Sequence, residues 1–246
     1  MTEFCGFCKE EQHTNFRFCS NCGKRNRKKI IEEQIKESFF NKNLTLISVY
    51  VLFSVSLLLI AGLTDDTLEN LIIWTLSFAV IDIAFAVFQP GVLSLMDLKK
   101  VELFPLISII LICLGSGVSV SYSIDQLNIF LFDETISNYF YFVHLENPLP
   151  FAILLIAVCP AIFEELAFRG FVYNNLQVIS GEKAAVWGST FLFALVHFSL
   201  LSMFWLIPFG LLLAHFRKRY NSILYGIVGH FTHNATTMVI EHYNFL

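Results

Sequence analysis

The chain has 246 residues, of which 56% are hydrophobic and only 15% are charged. Its mean hydropathy of +0.65 is too high for a soluble domain and favours a polytopic membrane protein. The net charge of −4 identifies no partner, because the positions of the charges relative to a membrane carry the information. The polar N-terminus lacks the apolar stretch of a signal peptide, so no cleavable signal is expected.

Four of the six cysteines lie in a polar N-terminal segment with the spacing C-x2-C, ten residues, C-x2-C, and they are Cys5, Cys8, Cys19 and Cys22. This spacing predicts a small zinc ribbon over residues 1–23, in which four thiolates hold a structural zinc ion. A disulfide framework is the alternative, but the basic residues that follow favour a reducing, cytosolic location. Because four cysteines complete the site, His13 is expected to be a loop residue.

Residues 24–43, KRNRKKIIEEQIKESFFNKN, form a basic segment between the ribbon and the first apolar run. We expect a cytosolic linker with a short helix that touches anionic lipid head groups. Nucleic-acid binding by the ribbon and this segment is disfavoured, because no soluble domain follows. The ribbon is instead expected to serve docking or regulation through a protein partner.

Apolar segments long enough to cross a hydrocarbon core of about 30 Å recur along the rest of the chain. They predict an all-α polytopic membrane protein with about seven transmembrane helices, preceded by the ribbon. The expected spans are 44–63, 71–89, 102–122, 149–173, 184–201, 203–216 and 222–240. Residues 44–148 would hold the N-terminal helices and an outer loop or surface helix at 123–148.

The basic residues favour one orientation of these spans. Every Lys and Arg except Arg169 falls on one side of them, whereas the outer loops carry only acidic charges. By the positive-inside rule, this predicts an integral membrane protein with a cytosolic N-terminus and an outside C-terminus.

Residues 161–171, AIFEELAFRGF, place three charges inside an apolar run. A charged side chain at the membrane centre costs about 2.5 to 3.5 kcal/mol on insertion scales. Glu165 and Arg169 are four residues apart, with the glutamate N-terminal, and are expected to form an ion pair. Glu164 is rotated by about 100° on the helix and is left for another partner.

Two later spans supply polar side chains that can meet Glu164. His197 lies in the run TFLFALVHFSL, and His230, His233 and Asn234 lie in LYGIVGHFTHNATTM. His230 and Asn234 share one helical face, whereas His233 points elsewhere and is expected to bond to a backbone group or to water. A single polar residue of this kind commonly forms a hydrogen bond between two membrane helices. The whole set, together with an unpaired glutamate, is typical of a functional site.

The chemistry of this set leaves two interpretations open. A carboxylate, two imidazoles and a carboxamide can deprotonate a water molecule and stabilise an oxyanion. The same glutamate and histidines can ligate a divalent metal ion. The chain contains neither H-E-x-x-H nor G-x-S-x-G, so water-mediated hydrolysis is favoured, with the participation of a catalytic divalent metal left open.

Three motifs on successive predicted spans resemble those of the CAAX protease and bacteriocin-processing (CPBP) family, which includes the type II CAAX prenyl endopeptidases. They are EELAFR (residues 164–169), FALVH (193–197) and HFTHN (230–234). The resemblance covers residues 149–241 and marks them as a CPBP-like catalytic membrane core. It implies an intramembrane endopeptidase, typically of a bacterial plasma membrane, that acts on a peptide or protein substrate reaching the bilayer.

The resemblance also implies roles for individual residues. Glu164 and His197 would activate water, while His230 and Asn234 would support the oxyanion. Glu165 and Arg169 belong to the same motif, where the ion pair gives them an orienting role. A non-catalytic membrane binding protein of the same fold, such as an immunity or scaffold factor, is the alternative. A proton-coupled transporter is disfavoured, because no internal repeat or broken helix pair is evident.

Overall fold

The computed structural model describes residues 2–14, 16–133, 137–197 and 200–245. The chain divides into two compact units, residues 1–46 and 47–246, and almost all of its regular structure is helical. The predicted helical class is therefore confirmed.

The N-terminal unit begins with a small antiparallel sheet. Strand β1 (Thr2–Phe4) pairs with strand β2 (Glu11–His13). The backbone N–H of Cys5 donates to the carbonyl of Glu10 at 2.9 Å, and that of Cys19 donates to the carbonyl of Lys24 at 2.9 Å. Each C-x2-C pair thus lies in a tight turn, as a zinc ribbon requires.

Helix α1 (Arg27–Ala61) is a single helix of 35 residues. The short linker helix and the first predicted span are therefore one continuous helix, and no helix end falls at residue 44. The reason is visible in the sequence: no glycine or proline interrupts residues 27–61, so nothing ends the helix between its polar and apolar parts.

Two further helices precede the segment with the predicted site. Helix α2 (Leu68–Phe88) starts at Thr67, whose side chain accepts a hydrogen bond from the backbone N–H of Asn70. Two 3₁₀ turns, Leu93–Met96 and Leu98–Lys100, lead to helix α3 (Leu103–Phe132). Helix α3 runs beyond the predicted end at residue 122, so the start of the expected outer segment is helical. Another 3₁₀ turn, Asn138–Phe142, follows.

Helix α4 (Pro148–Leu195) contains the predicted span 149–173 and residues 184–195 of the predicted span 184–201, of which residues 198 and 199 lie outside the described part of the chain. Gly181 adopts a left-handed conformation with φ 82° and kinks the helix between these two spans. Two segments, Ile153–Val158 and Glu165–Val172, are wound as wide π turns. Helices α5 (Leu200–Tyr220) and α6 (Leu224–Phe245) complete the fold. His197 was expected within a span, but it lies in the turn after α4 ends.

Four of the described helices, α1 to α4, are long and apolar enough to cross a membrane. Together they support an integral membrane protein, while the count of seven spans stays a prediction. Helix α5 ends in three consecutive cations and α6 carries three histidines, which lowers the hydropathy of both helices.

Small residues bring α3 and α6 close together. A Cβ at Gly117 on α3 would lie 2.9 Å from the backbone oxygen of His233, and one at Gly229 on α6 would lie 2.7 Å from the side chain of Ile109. Absence of side chains at these two positions lets the helix backbones approach. This contact fixes the face of α6 that carries the polar residues.

Candidate active site

A cavity of about 1020 Å³ lies within the unit formed by residues 47–246. Four of the predicted membrane-site residues line it: Glu164, His197, His230 and Asn234. Glu165 and Arg169 do not line the cavity, and both side chains are fully buried. The six residues thus divide into a cavity-facing set and a buried pair.

The buried pair has the geometry expected from its spacing. Arg169 Nη1 lies 2.7 Å from Glu165 Oε1, and Arg169 Nη2 donates to the carbonyl of Gly210 on α5 at 3.3 Å. The guanidinium also lies over the ring of Phe193, 4.3 Å from its centroid. These contacts join the wide turn of α4 to α5 and to the later limb of α4.

Two further residues support this pair, and sequence reasoning gave neither of them this role. Gly226 on α6 lies so close to Glu165 that an added Cβ would overlap Oε2 of the carboxylate. Arg217 is 5% exposed, and its Nε donates to the backbone carbonyl of Arg169 at 3.0 Å. Because Arg217 belongs to a run of three cations, the sequence indicated only a topological anchor.

His230 lies between the two glutamates. Its Nδ1 is 3.4 Å from Glu165 Oε1, and its Nε2 is 3.9 Å from Glu164 Oε2. The ring is 3% exposed, whereas the side chain of Glu164 is 25% exposed. Glu164 is therefore the carboxylate that reaches the cavity, and His230 connects it to the buried pair.

His197 has one ring nitrogen fixed and the other free for chemistry. Its Nδ1 lies 2.8 Å from the carbonyl oxygen of Phe193. A carbonyl only accepts hydrogen bonds, so Nδ1 carries the proton and Nε2 of the neutral ring keeps its lone pair. The histidine is exposed and lines the cavity, so this lone pair is available to water.

Asn234 is held by the backbone carbonyl of Ile156, in the π-wound segment of α4 that precedes Pro160. Its Nδ2 donates to the carbonyl of Ile156 at 2.9 Å. In a regular helix that carbonyl would accept the N–H of residue 160, but this residue is Pro160, which has none. The side chain of Asn234 supplies a hydrogen bond to this oxygen, and its second amide hydrogen remains for a ligand.

Among the described residues, the four N-terminal cysteines are the group of three or more side chains whose ligand atoms all lie close enough to hold a metal ion, within 4.8 Å of one another. The Sγ atoms of Cys5 and Cys22 are 3.7 Å apart, and those of Cys8 and Cys19 are 3.5 Å apart. Zinc–sulfur bonds of about 2.3 Å in a tetrahedron require a separation of roughly 3.8 Å. The cluster is thus compatible with a zinc ribbon.

The thiols of this cluster are not equivalent. Backbone N–H groups of Cys8 and Phe7 donate to Cys5 and lower its pKa to about 6. A backbone hydrogen bond at Glu10 favours the Cys8 thiolate, but burial and the neighbouring thiols outweigh it and raise the Cys8 pKa to about 11. Because a metal ion binds the thiolate form of cysteine, the lowered pKa of Cys5 favours metal binding by this residue at neutral pH.

The structure adds polar groups that the sequence interpretation left aside. Asp82 on α2 is 3% exposed and accepts a hydrogen bond from Tyr50 at 2.9 Å. A single aspartate inside the apolar run SFAVIDIAFAVF could have indicated a buried carboxylate from the sequence alone. Asp125, which was assigned to an outer loop, lies on α3 and lines the cavity together with Glu241 and His233.

Residues 146–236 match the family model described as type II CAAX prenyl endopeptidase Rce1-like. This segment, 91 of the chain's 246 residues, is similar to the Rce1-like family. The match contains all six predicted membrane-site residues and excludes the ribbon and helices α1 to α3. Comparisons with curated proteins and with solved structures give no match. The Rce1-like segment therefore coincides with the part of the chain that supplies Glu164, His197, His230 and Asn234 to the cavity.

Proposed function

We propose that the Rce1-like segment is an intramembrane endopeptidase that hydrolyses a peptide bond with water activated by Glu164 and His197. This proposal rests on one observation: the six predicted membrane-site residues fall into a set that lines the cavity and a pair that is buried. Four that can handle a proton or donate a hydrogen bond line one cavity, while the ion pair of Glu165 and Arg169 is fully buried behind them.

In the proposed reaction, a water molecule donates hydrogen bonds to the carboxylate of Glu164 and to Nε2 of His197. Glu164 takes a proton as the water oxygen attacks the peptide carbonyl. The free amide hydrogen of Asn234 and Nε2 of His230 support the resulting oxyanion. The proton then passes to the leaving amine nitrogen, so that a carboxylic acid and an amine are formed.

The neighbouring residues would act by holding this set in place. Arg169 anchors Glu165, and Glu165 faces Nδ1 of His230 at 3.4 Å. The ligand atoms of Glu164, His197 and His230 do not gather into a metal-binding group of the kind formed by the cysteines. We propose activation of water by the side chains themselves, with a divalent metal ion held by the same donors as the alternative.

The remaining parts of the proposal concern topology and the ribbon. All seven helical rods would lie in the membrane, counting the two limbs of α4 separately, with the N-terminus cytosolic. The cysteine cluster would hold structural zinc, because four thiolates leave no open position for catalysis. The ribbon would then bind a protein partner or regulate access of the substrate.

The test is cleavage by the full-length protein reconstituted in lipid vesicles, with a panel of internally quenched peptides carrying apolar segments. Products formed in water enriched in heavy oxygen should carry one labelled oxygen in the new carboxyl group. Glu164→Gln and His197→Ala should each abolish cleavage, while Glu146→Gln, which removes a carboxylate outside the cavity, should not.

If Glu164→Gln cleaved as fast as the unmodified protein, water activation by Glu164 would be wrong. Specific peptide binding without cleavage by any form of the protein would favour the non-catalytic binding function instead.

A further inference from the structure

The cavity wall carries carboxylates and histidines but, among the described residues, no lysine or arginine. Residues 101–168 and 220–246 contain neither lysine nor arginine, and they supply most of the lining. Three carboxylates face the cavity, from Asp125, Glu164 and Glu241. Only Glu164 is used in the proposed reaction, so two acidic groups have no assigned task.

One face of α3 presents unsatisfied polar groups to the cavity. Ser121, Asp125 and Asn128 follow one another at spacings of four and three residues, which places them on a common helical face, and all three line the cavity. Asn128 is 6% exposed, and its amide makes no hydrogen bond to any described residue. Ser121 Oγ is also buried without a partner among the described residues.

Such groups are expected to meet a ligand. Buried amides and hydroxyls are normally hydrogen-bonded, because burial without a partner costs free energy. Asp125 has no cationic partner among the described residues, and Glu241 lines the same cavity. Two carboxylates in one cavity that has no lysine or arginine in its lining favour a bound cation.

Glu241 is held in position for such a cation. Its Oε2 accepts hydrogen bonds from the hydroxyl of Ser137 and from the backbone N–H of Tyr139, the latter at 3.0 Å. The carboxylate is thus fixed at the end of the cavity remote from Asn234. Seven residues separate Asn234 and Glu241 on α6, which corresponds to roughly 10 Å along the helix.

We propose that Asp125, Asn128 and Glu241 form a subsite for a cationic group of the substrate peptide, an ammonium or a guanidinium. Asp125 and Glu241 supply the charge, and the side-chain oxygen of Asn128 accepts a hydrogen bond from the cation. An extended peptide advances about 3.3 to 3.6 Å per residue, so the cationic residue lies within about three positions of the cleaved bond. This inference rests on the proposed function, because the cavity is taken as the substrate site.

The subsite distinguishes this cavity from one built for a CAAX terminus. A CAAX sequence stands at the C-terminal end of its protein, so a free carboxylate lies close to the bond that is cleaved. A carboxylate would meet Asp125 and Glu241 without a neutralising lysine or arginine. The preferred substrate therefore carries positive charge, and binding weakens when negative charge is placed at the same position.

The test measures binding separately from cleavage. Labelled apolar peptides of 12 residues, with one position occupied in turn by lysine, norleucine or glutamate, are titrated against full-length Glu164→Gln protein in detergent. Fluorescence anisotropy should show about tenfold tighter binding of the best lysine peptide than of its norleucine counterpart. The glutamate peptide should bind more weakly than both.

Substitutions at the subsite should change this preference and leave the fold intact. In the same background, Asp125→Asn should reduce the preference for lysine to less than about twofold, and Asp125→Lys should reverse it in favour of glutamate. Asp133→Asn is the matched control, since Asp133 is exposed at the end of the same helix and does not line the cavity. Each peptide is tested with a free and with an acetylated N-terminus. This comparison shows whether the bound cation is the α-amino group or the lysine side chain.

The same peptides, in quenched form, are then offered to the protein that retains Glu164. Cleavage without preference for lysine over norleucine would overturn the subsite and leave the proposed function standing. A lysine preference in binding that depends on Asp125, with no peptide cleaved, would support the subsite and contradict the proposed function. An unchanged preference in Asp125→Asn would also overturn the subsite.

Discussion

The amide of Asn234 donates to the carbonyl of Ile156, in the π-wound segment of α4 that precedes Pro160. One residue on α4 thereby orients one residue on α6, and both line the same cavity as Glu164. The contact uses one amide hydrogen of Asn234, which lines the cavity, and leaves the other for a ligand.

We expect Asn234→Ala to lower kcat by about 100-fold with little change in KM, because loss of one oxyanion donor weakens the transition state more than the bound substrate. Steady-state cleavage in vesicles measures both constants. Asn244→Ala is the control, since it removes the same side chain at the opposite end of the cavity. An equal loss in both variants would contradict the oxyanion role.

Replacement of Pro160 tests the positioning of Asn234 without touching it. Pro160→Ala restores a backbone N–H that can bond to the carbonyl of Ile156, so Asn234 loses its fixed partner. We expect a fall in kcat of about tenfold, smaller than that of Asn234→Ala because the amide itself remains. Combined with Asn234→Ala, the proline substitution should have no further effect on kcat; additive losses would show that the two residues act independently.

The buried ion pair should dominate stability in this region. Removal of one partner of a buried pair leaves an uncompensated charge and costs about 3 to 5 kcal/mol, so Arg169→Met should unfold far more readily in a denaturant titration. Glu165→Gln combined with Arg169→Met should recover part of this loss. Lys218→Met breaks an exposed pair with Glu182 at 3.1 Å and should change stability by less than about 1 kcal/mol.

Much of the site followed from helical spacing alone. The separation of Glu165 from Arg169 predicted their pairing, and the four-residue interval from His230 to Asn234 placed both on the cavity face. Spacing within one helix did not reveal Arg217, because its contact with the backbone of Arg169 depends on how α5 packs against α4. Helical spacing also did not predict that Asp125 lines the cavity. Residues 123–148 by themselves do not show that α3 extends to residue 132 or which side of α3 faces the cavity.

Gly226 should be intolerant of any side chain. A Cβ at this position would overlap Oε2 of Glu165, so Gly226→Ala must displace either the carboxylate or helix α6. We expect a loss of about 1 to 3 kcal/mol in stability, with cleavage strongly reduced. Gly115→Ala on α3 is the control, since its Cβ would meet nothing within 4 Å and alanine favours the helix. Comparable damage from both substitutions would rule out a specific role for the Gly226 contact.

The metal content of the chain should depend on the ribbon and not on the membrane residues. We expect about one zinc per chain by elemental analysis, and none in a variant with Cys5, Cys8, Cys19 and Cys22 all replaced by serine. Because the pKa of Cys5 is lowered to about 6, its thiolate persists from alkaline to neutral pH. Protons compete with the metal ion for the four thiolates, so zinc should be released as the pH is lowered from neutral to acidic values.

The same serine variant separates the two mechanisms left open by the donor set of Glu164, His197 and His230. Activation of water by the side chains predicts that this variant still cleaves, and that a strong chelator does not slow it. Cleavage that the chelator stops and added zinc or manganese restores would instead place a metal ion at the membrane site. If the serine variant did not cleave, and neither zinc nor manganese restored cleavage, the ribbon would be needed for activity. Its role would then be something other than supplying a catalytic metal ion, because its four-thiolate site leaves no open position.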